Sequence, residues 1–305
     1  MKYIKKKYYL LNCSKIYVIN KNAHKFTFPL KIPQFIISFG QFLQFISPKL
    51  ASLYAAKLFA TPLKHKIPKR ELAMDAKSIQ TTITIPKINK KIVVYNYGNS
   101  TKKVLLVHGW SGRGTQLFKI ADELLKNGYS TVSFDAPGHG KSAGNKTLLP
   151  EFVATILELQ KLHGPFEFAV AHSLGSMSIL KAIVDGLIVK KAVIIGSGDI
   201  IQDIIDNFIK NLKLSKNVGL LMKRYFEKKS GTSMESLSSY MSAQKVSIPV
   251  LIIHDLNDDD VNVSCAYNIH KHLAGSELLI TEHLGHRKIL GDKKVIEKLI
   301  TYLKQ

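Results

Sequence analysis

The sequence predicts an α/β fold, a mostly parallel sheet flanked by helices, and two observations carry that prediction. From residue 81 onward, short β-branched or apolar runs alternate with amphipathic helical stretches, which is the pattern of βα units. Several of those runs are also apolar throughout, as strands covered on both faces must be. The 305 residues, 46% of them hydrophobic, can build a sizeable core in one large domain or two ordinary ones. That content excludes disorder throughout. The only cysteines, Cys13 and Cys265, exclude a disulfide framework.

The elements follow in order. Residues 1–78 form a basic, partly helical extension. From Met1 to Met74 there are fourteen Lys and Arg against one acid, Glu71, whereas the remainder carries thirty against twenty-one. The net charge of +22 is therefore concentrated at the N-terminus. Tyr8–Leu11 after Lys5-Lys6-Lys7 is too short for the apolar core of a secretory signal, and no small-residue cleavage site follows it. Ile32 to Pro48 is free of charge and rich in Phe, but Pro33, Gly40 and three Gln interrupt it, and it is short for a membrane span. Two readings stand for it. It is a helix packed on the rest of the chain and continued by Ala51–Phe59, or an aromatic, Lys-flanked helix lying in a membrane interface. Thr81–Ile85 and Lys91–Tyr95 alternate about a turn at 87–90, which predicts a hairpin. Strands are then expected at Val104–Val107, Thr131–Phe134, Phe168–Ala171, Ala192–Ile195, Val250–Ile253 and Leu278–Ile280. Helices are expected at Gln116–Asn127, Leu149–Leu162, Leu174–Asp185 and Ser264–Leu273. About 50 residues between Gly198 and Ser247 have helical, Lys- and Ser-rich sequence without a strand, a helical insertion in one crossover.

Four segments carry chemistry. In Phe168-Ala169-Val170-Ala171-His172-Ser173-Leu174-Gly175-Ser176 a strand runs into a small-x-Ser-x-Gly turn and then a helix. A sharp turn lifts a Ser hydroxyl clear of the backbone, small neighbours relieve the crowding, and the helix N-terminus faces developing negative charge. The plainer alternative is a Ser N-cap after a strand. Val107-His108-Gly109-Trp110-Ser111-Gly112 is a Gly-rich loop that can aim backbone N–H groups at an oxyanion. The Gly-Lys-Ser ending of a phosphate-binding loop is absent there. Gly138-His139-Gly140-Lys141-Ser142 lacks the Gly four residues earlier, so Asp135–Gly140 is read as a tight turn. The strand Val250–Ile253 leads into an acidic loop holding Asp255, Asp258, Asp259 and Asp260. One of these could orient a His, the others being consistent with a solvated turn or, weakly, a metal site. Leu278–Ile280 leads into a loop with His283 and His286, either of which could act as general base. Ser, Asp, His is the chain order of one fold in particular.

On these residues, the segment from about 80 to 305 resembles the α/β-hydrolase superfamily. The resemblance implies the α/β-hydrolase fold, with a mostly parallel eight-stranded sheet and a helical cap at about 199–247. Carried over by position, it implies Ser173 as nucleophile, Asp258 as the acid four residues after His254, and His286 after Gly285 as the base. Asp255 stands where the family has Gly, which keeps Asp255, Asp259 and Asp260 as lesser candidates. Ala171 replaces the first Gly of the nucleophile motif. The oxyanion hole would use the backbone N–H groups of Trp110 and Leu174.

The expected activity is hydrolysis of a carboxylic ester or thioester, a small-molecule substrate, with no metal or organic cofactor. Acyl transfer and a non-catalytic binding role on the same fold are the alternatives. The Ser nucleophile argues against the haloalkane dehalogenase and epoxide hydrolase branches, which use Asp. Nucleic-acid binding is suggested by charge alone: the bases are nearly all Lys, and no aromatic-basic or zinc motif accompanies them. The expected location is cytoplasmic, with residues 1–60 available for peripheral contact at the inner membrane face.

Overall fold

Alternation along the strands decides the layering. In β-structure successive side chains point to opposite faces. Val193 and Ile195 therefore enter one apolar cluster while Ala192 and Ile194 enter the other, and Leu251 and Ile253 are divided from Val250 and Ile252 in the same way. Both faces are buried, so both need helical cover. A computed structural model describes residues 32–305 and the backbone of Tyr8–Leu11. The Lys5–Lys7 run and Cys13 lie outside the described residues.

In chain order, β1 (Tyr8–Leu11) precedes helices α1 (Gln34–Ile46), α2 (Pro48–Phe59) and α3 (Leu72–Lys77). The hairpin follows as β2 (Ile79–Ile85) and β3 (Lys90–Tyr97), turned by a short 3₁₀ segment and by Asn89 at φ 48°. Next come β4 (Lys103–Val107), α4 (Phe118–Lys126), β5 (Ser130–Asp135), α5 (Leu149–His163), β6 (Phe168–His172), α6 (Leu174–Val184) and β7 (Lys191–Ile195). The insertion holds α7 (Ile201–Asn211), α8 (Lys216–Ser230) and α9 (Ser239–Ala243). The chain ends with β8 (Val250–Asp255), α10 (Ser264–His272), β9 (Glu277–Thr281), α11 (Gly285–Lys288) and α12 (Lys293–Lys304).

The strand order is β1-β9-β8-β7-β6-β4-β5-β3-β2. Pairing is parallel from β5 through β4, β6, β7 and β8 to β9. The hairpin adds two antiparallel strands at one edge. The eight strands β2–β9 are those implied by the resemblance. β1 is a ninth, pairing antiparallel with β9 in the register Tyr8↔Thr281. The apolar run after Lys5–Lys7, too short for a signal, is long enough for an edge strand.

The N-terminal helices do not stand apart. Pro48 opens α2 at a position where a missing N–H costs nothing, and extended Ser47 folds α2 back along α1. Gly40 permits the close approach, since a Cβ there would sit 3.3 Å from the Tyr54 ring. Phe39 meets Tyr54 edge to face at 5.2 Å. The pair then packs on the insertion. Phe59 contacts Phe208 of α7 and Phe226 of α8 at ring separations of 5.1 and 5.9 Å, and Gln44 Oε1 accepts from the Ser215 N–H at 2.7 Å. Four helices, α1, α2, α7 and α8, thus roof one end of the sheet. Among the described residues, no helix is long and apolar enough to cross a membrane.

Candidate active site

The site lies at the C-terminal ends of the parallel strands. Ser173 stands between β6 and α6 with φ 54° and ψ −120°, a left-handed conformation that a non-Gly residue occupies only when its surroundings force it. Its N–H donates to Ile195 O at 2.9 Å, which ties the turn to β7. Gly175 is obligatory, because a Cβ there would fall 2.5–2.6 Å from the carbonyl oxygens of His108 and Val107. Gly109 is similarly tight, 2.9 Å from Ser173 Cβ. Ala171, by contrast, is an ordinary buried residue of β6, and its methyl joins the apolar cluster.

His286, from the start of α11, points its Nδ1 at Asp258 Oδ2, 2.7 Å away. Asp258 sits in the loop after β8, with its side chain nearly fully buried. Its Oδ1 accepts the N–H groups of Asp260 and Val261 at 2.9 and 2.8 Å, and His254 Nε2 lies 3.4 Å from Oδ2. Burial alone would raise the carboxyl's pKa. Hydrogen bonds and charge from His254 and His286 outweigh it and hold the group well below the ordinary carboxylate range.

The other acids of the loop are otherwise engaged. Asp255 accepts from Thr281 Oγ1 at 2.6 Å and from the Leu284 and Asn257 N–H groups at 3.0 Å, so it fastens the His-bearing loop. Asp260 pairs with Arg287 at 3.0 Å, and Asp259 is exposed. His283 is exposed, its N–H donating to Asn257 Oδ1. Among the described residues, no three His, Cys, Asp or Glu side chains converge as a metal set.

The Gly-rich loop after β4 is held by groups whose role the sequence did not disclose. Gln116 Oε1 accepts the Gly109 N–H at 3.0 Å, and His139 Nε2 accepts the Ser111 N–H at 3.1 Å. Between them the Trp110 N–H has no protein acceptor among the described residues, and the same holds for the Leu174 N–H. His108 Nε2 accepts from the Ala136 N–H and its Nδ1 donates to Gly109 O, which fixes a neutral ring. Burial pushes His108 well below the usual imidazole value, and pushes His139 down to about 4. The turn Asp135–Gly140 is thus a brace. Buried Asp135 accepts from Tyr95 OH and from the Gly114 and Lys141 N–H groups. Gly140 leaves room for that carboxylate, which a Cβ would strike at 2.3 Å.

A second brace comes from the N-terminal segment. Glu71 is buried and pairs with Arg113 at 2.9 Å while also accepting from Thr115 Oγ1 at 2.8 Å. The Leu63 N–H donates to Ser111 Oγ at 2.9 Å. The one signal in the sequence was that Glu71 is the only acid among the first 74 residues.

Ser173, Leu174, Trp110 and His286 all line one cavity of about 1020 Å³. Its walls include Leu58 and Phe59 of α2, Phe208 of α7, Phe226 of α8, and Met234 and Leu237 beyond α8. The cavity is therefore roofed jointly by the insertion and the N-terminal helices. It is mostly apolar, although the roof also contributes polar groups, among them Asp203 and Asn207 of α7.

Residues 104–241 match the model of the alpha/beta hydrolase family. No curated protein matches the sequence significantly. Among solved structures, an esterase from Exiguobacterium antarcticum superposes with a TM-score of 0.59 at 21% identity, over 74% of this chain and 100% of its own. A Pyrococcus furiosus esterase gives 0.61 at 17% identity, over 80% and 97%. A bacterial membrane phospholipase A gives 0.59 at 12% identity, over 89% and 96%, a span that must reach into the segment ahead of residue 79. The fold, the strand-end geometry and the family match agree: the chain has the α/β-hydrolase fold, and its residues 104–241 resemble the alpha/beta hydrolase family.

Proposed function

We propose that the chain is a serine hydrolase that cleaves carboxylic esters or thioesters through an acyl-enzyme. One observation carries the reading. The His286–Asp258 pair, at 2.7 Å, faces the same cavity as strained Ser173 and as two backbone N–H groups without protein acceptors.

In this mechanism His286 Nε2 takes the Ser173 proton as Oγ attacks the substrate carbonyl. Asp258 holds Nδ1 protonated, so that Nε2 is the basic nitrogen, and stabilises the imidazolium that forms. The tetrahedral oxyanion is received by the N–H groups of Leu174 and Trp110. One such donor is typically worth about 10²–10³ in rate. The protonated His286 then gives its proton to the leaving alkoxide or thiolate. Water, deprotonated by the same ring, releases the acid. The apolar cavity suits an acyl chain, whose burial contributes about 0.8 kcal/mol per methylene.

A fluorophosphonate probe should label the wild-type protein and leave Ser173→Ala unlabelled, with p-nitrophenyl and thioester acyl substrates hydrolysed only by the former. Labelling that persists in Ser173→Ala would remove Ser173 from its role. Absence of both labelling and hydrolysis in the folded wild type would favour a binding protein on this fold.

A further inference from the structure

The outer face of α1 has no covering element among the described residues. Phe35, Phe39, Phe42 and Ile46 follow the i, i+4, i+7, i+11 spacing of one helical stripe, and their exposures are 74, 49, 58 and 57%. Phe45, flanking that stripe, is 90% exposed. The inner face behaves oppositely: Ile37 and Gly40 are buried against the rest of the roof. On α2, Leu50 and Leu53 are exposed while Ala51, Ala55 and Ala56 are buried. A contiguous aromatic patch of this kind marks an interaction surface.

Charge selects the occupant. The roof helices α1, α2, α7 and α8 carry eight Lys and Arg against three acids, and α1 and α2 themselves contain no acid at all. Lys49 and Lys57 are exposed on α2, beside Leu50 and Leu53, and Lys213 and Lys216 are exposed at the α7–α8 corner that Gln44 of α1 touches. Phe side chains ringed by Lys suit the boundary between acyl chains and anionic headgroups, where rings are buried and ammonium groups stay wet. A protein partner for so basic a face would need a matching acidic surface, and a second copy of this chain presents the same positive charge.

We propose that α1 and α2 dock the protein on an anionic phospholipid bilayer, with Phe35, Phe42 and Phe45 entering the headgroup boundary and the neighbouring lysines drawing the roof to the surface. The surface is distinct from Ser173, and its function does not depend on the catalytic assignment. Because Phe59 of α2 lines the cavity, docking would hold the roof of the candidate active site against the membrane.

The test is flotation of the full chain with vesicles of phosphatidylcholine alone and with about 30% phosphatidylglycerol, beside the variant Phe35→Gln/Phe42→Gln/Phe45→Gln. Wild type should float with the anionic vesicles only, and less as salt rises. The variant should partition about tenfold more weakly or worse, with unchanged hydrolysis of a soluble short-chain ester. Equal flotation of variant and wild type would overturn the proposal. So would loss of flotation on deletion of residues 1–31 with none in the triple variant, since the contact would then lie outside α1. No flotation, with a dimer that the triple variant abolishes, would assign the face to self-association instead. The ester assay separates this proposal from the catalytic one, since either can fail without the other.

Discussion

At the scale of single residues, the acidic loop after β8 shows how position divides chemically identical groups. Four carboxylates lie within six residues, yet only Asp258 reaches His286, because two backbone N–H groups fix its Oδ1 and leave Oδ2 aimed at the imidazole. Asp258→Asn keeps an oxygen for those N–H groups but no longer enforces the Nδ1-protonated tautomer of His286. The expected result is a fall in kcat of roughly 10⁴-fold with KM and thermal stability little changed. Asp255→Asn should do the reverse. It disturbs the bonds to Thr281 Oγ1 and the Leu284 N–H, so Tm falls and the loss of activity follows unfolding. If Asp255→Asn proved the more damaging to kcat at full stability, the roles of the two acids would be exchanged. The family resemblance implied Asp258, at the position four residues after His254, while the residues alone left all four aspartates open. The loop's internal hydrogen bonds, which set the carboxylate that reaches His286, could not be read from four nearly consecutive aspartates.

At the scale of elements, local pattern carried well and distant packing did not. Strands β2–β9 and helices α5, α6 and α10 stand within a few residues of where alternation and apolar spacing predict them, because each needs only its own periodicity. The turn at Ser173 was equally legible, since strand, small residues and helix are adjacent in sequence. The roof was not. Gln44 meets Ser215 across 171 residues and Glu71 meets Thr115 across 44, and no periodicity encodes such pairings. The segment between α2 and α3 proves to be a strap that holds the Gly-rich loop through Glu71, Arg113 and Ser111. Glu71→Gln should therefore act on two properties. A buried guanidinium left without its carboxylate costs about 3 kcal/mol or more, read as a lower urea midpoint. The loosened Trp110 loop should also lower kcat in the fraction that stays folded, with KM for a short ester little moved. A stability loss with kcat unchanged would confine Glu71 to a structural role.

At the scale of the whole molecule, three buried imidazoles make the fold sensitive to acid. His108, His139 and His172 brace the loops around Ser173, and burial holds all three below the ordinary imidazole value, His139 at about 4 and the other two well under the ordinary value. In the unfolded chain each titrates near 6.5. Between the folded and unfolded values the unfolded chain binds more protons, so stability rises with pH across that window and is lost as pH falls from about 6.5 toward 4. For His139 alone the loss between pH 7.5 and pH 5 is about 2 kcal/mol. The net charge of +22 adds self-repulsion, so a simple pH series would mix the two effects. A substitution separates them. His139→Gln keeps an acceptor for the Ser111 N–H and removes the titration, while leaving the charge at neutral pH unchanged. Urea unfolding of both proteins at the two pH values should show a wild-type drop larger than the variant's by about 2 kcal/mol, even if the variant is the less stable at pH 7.5. Equal drops would mean that His139 is already free to protonate in the folded state, and that the brace on the Trp110 loop does not depend on a neutral ring.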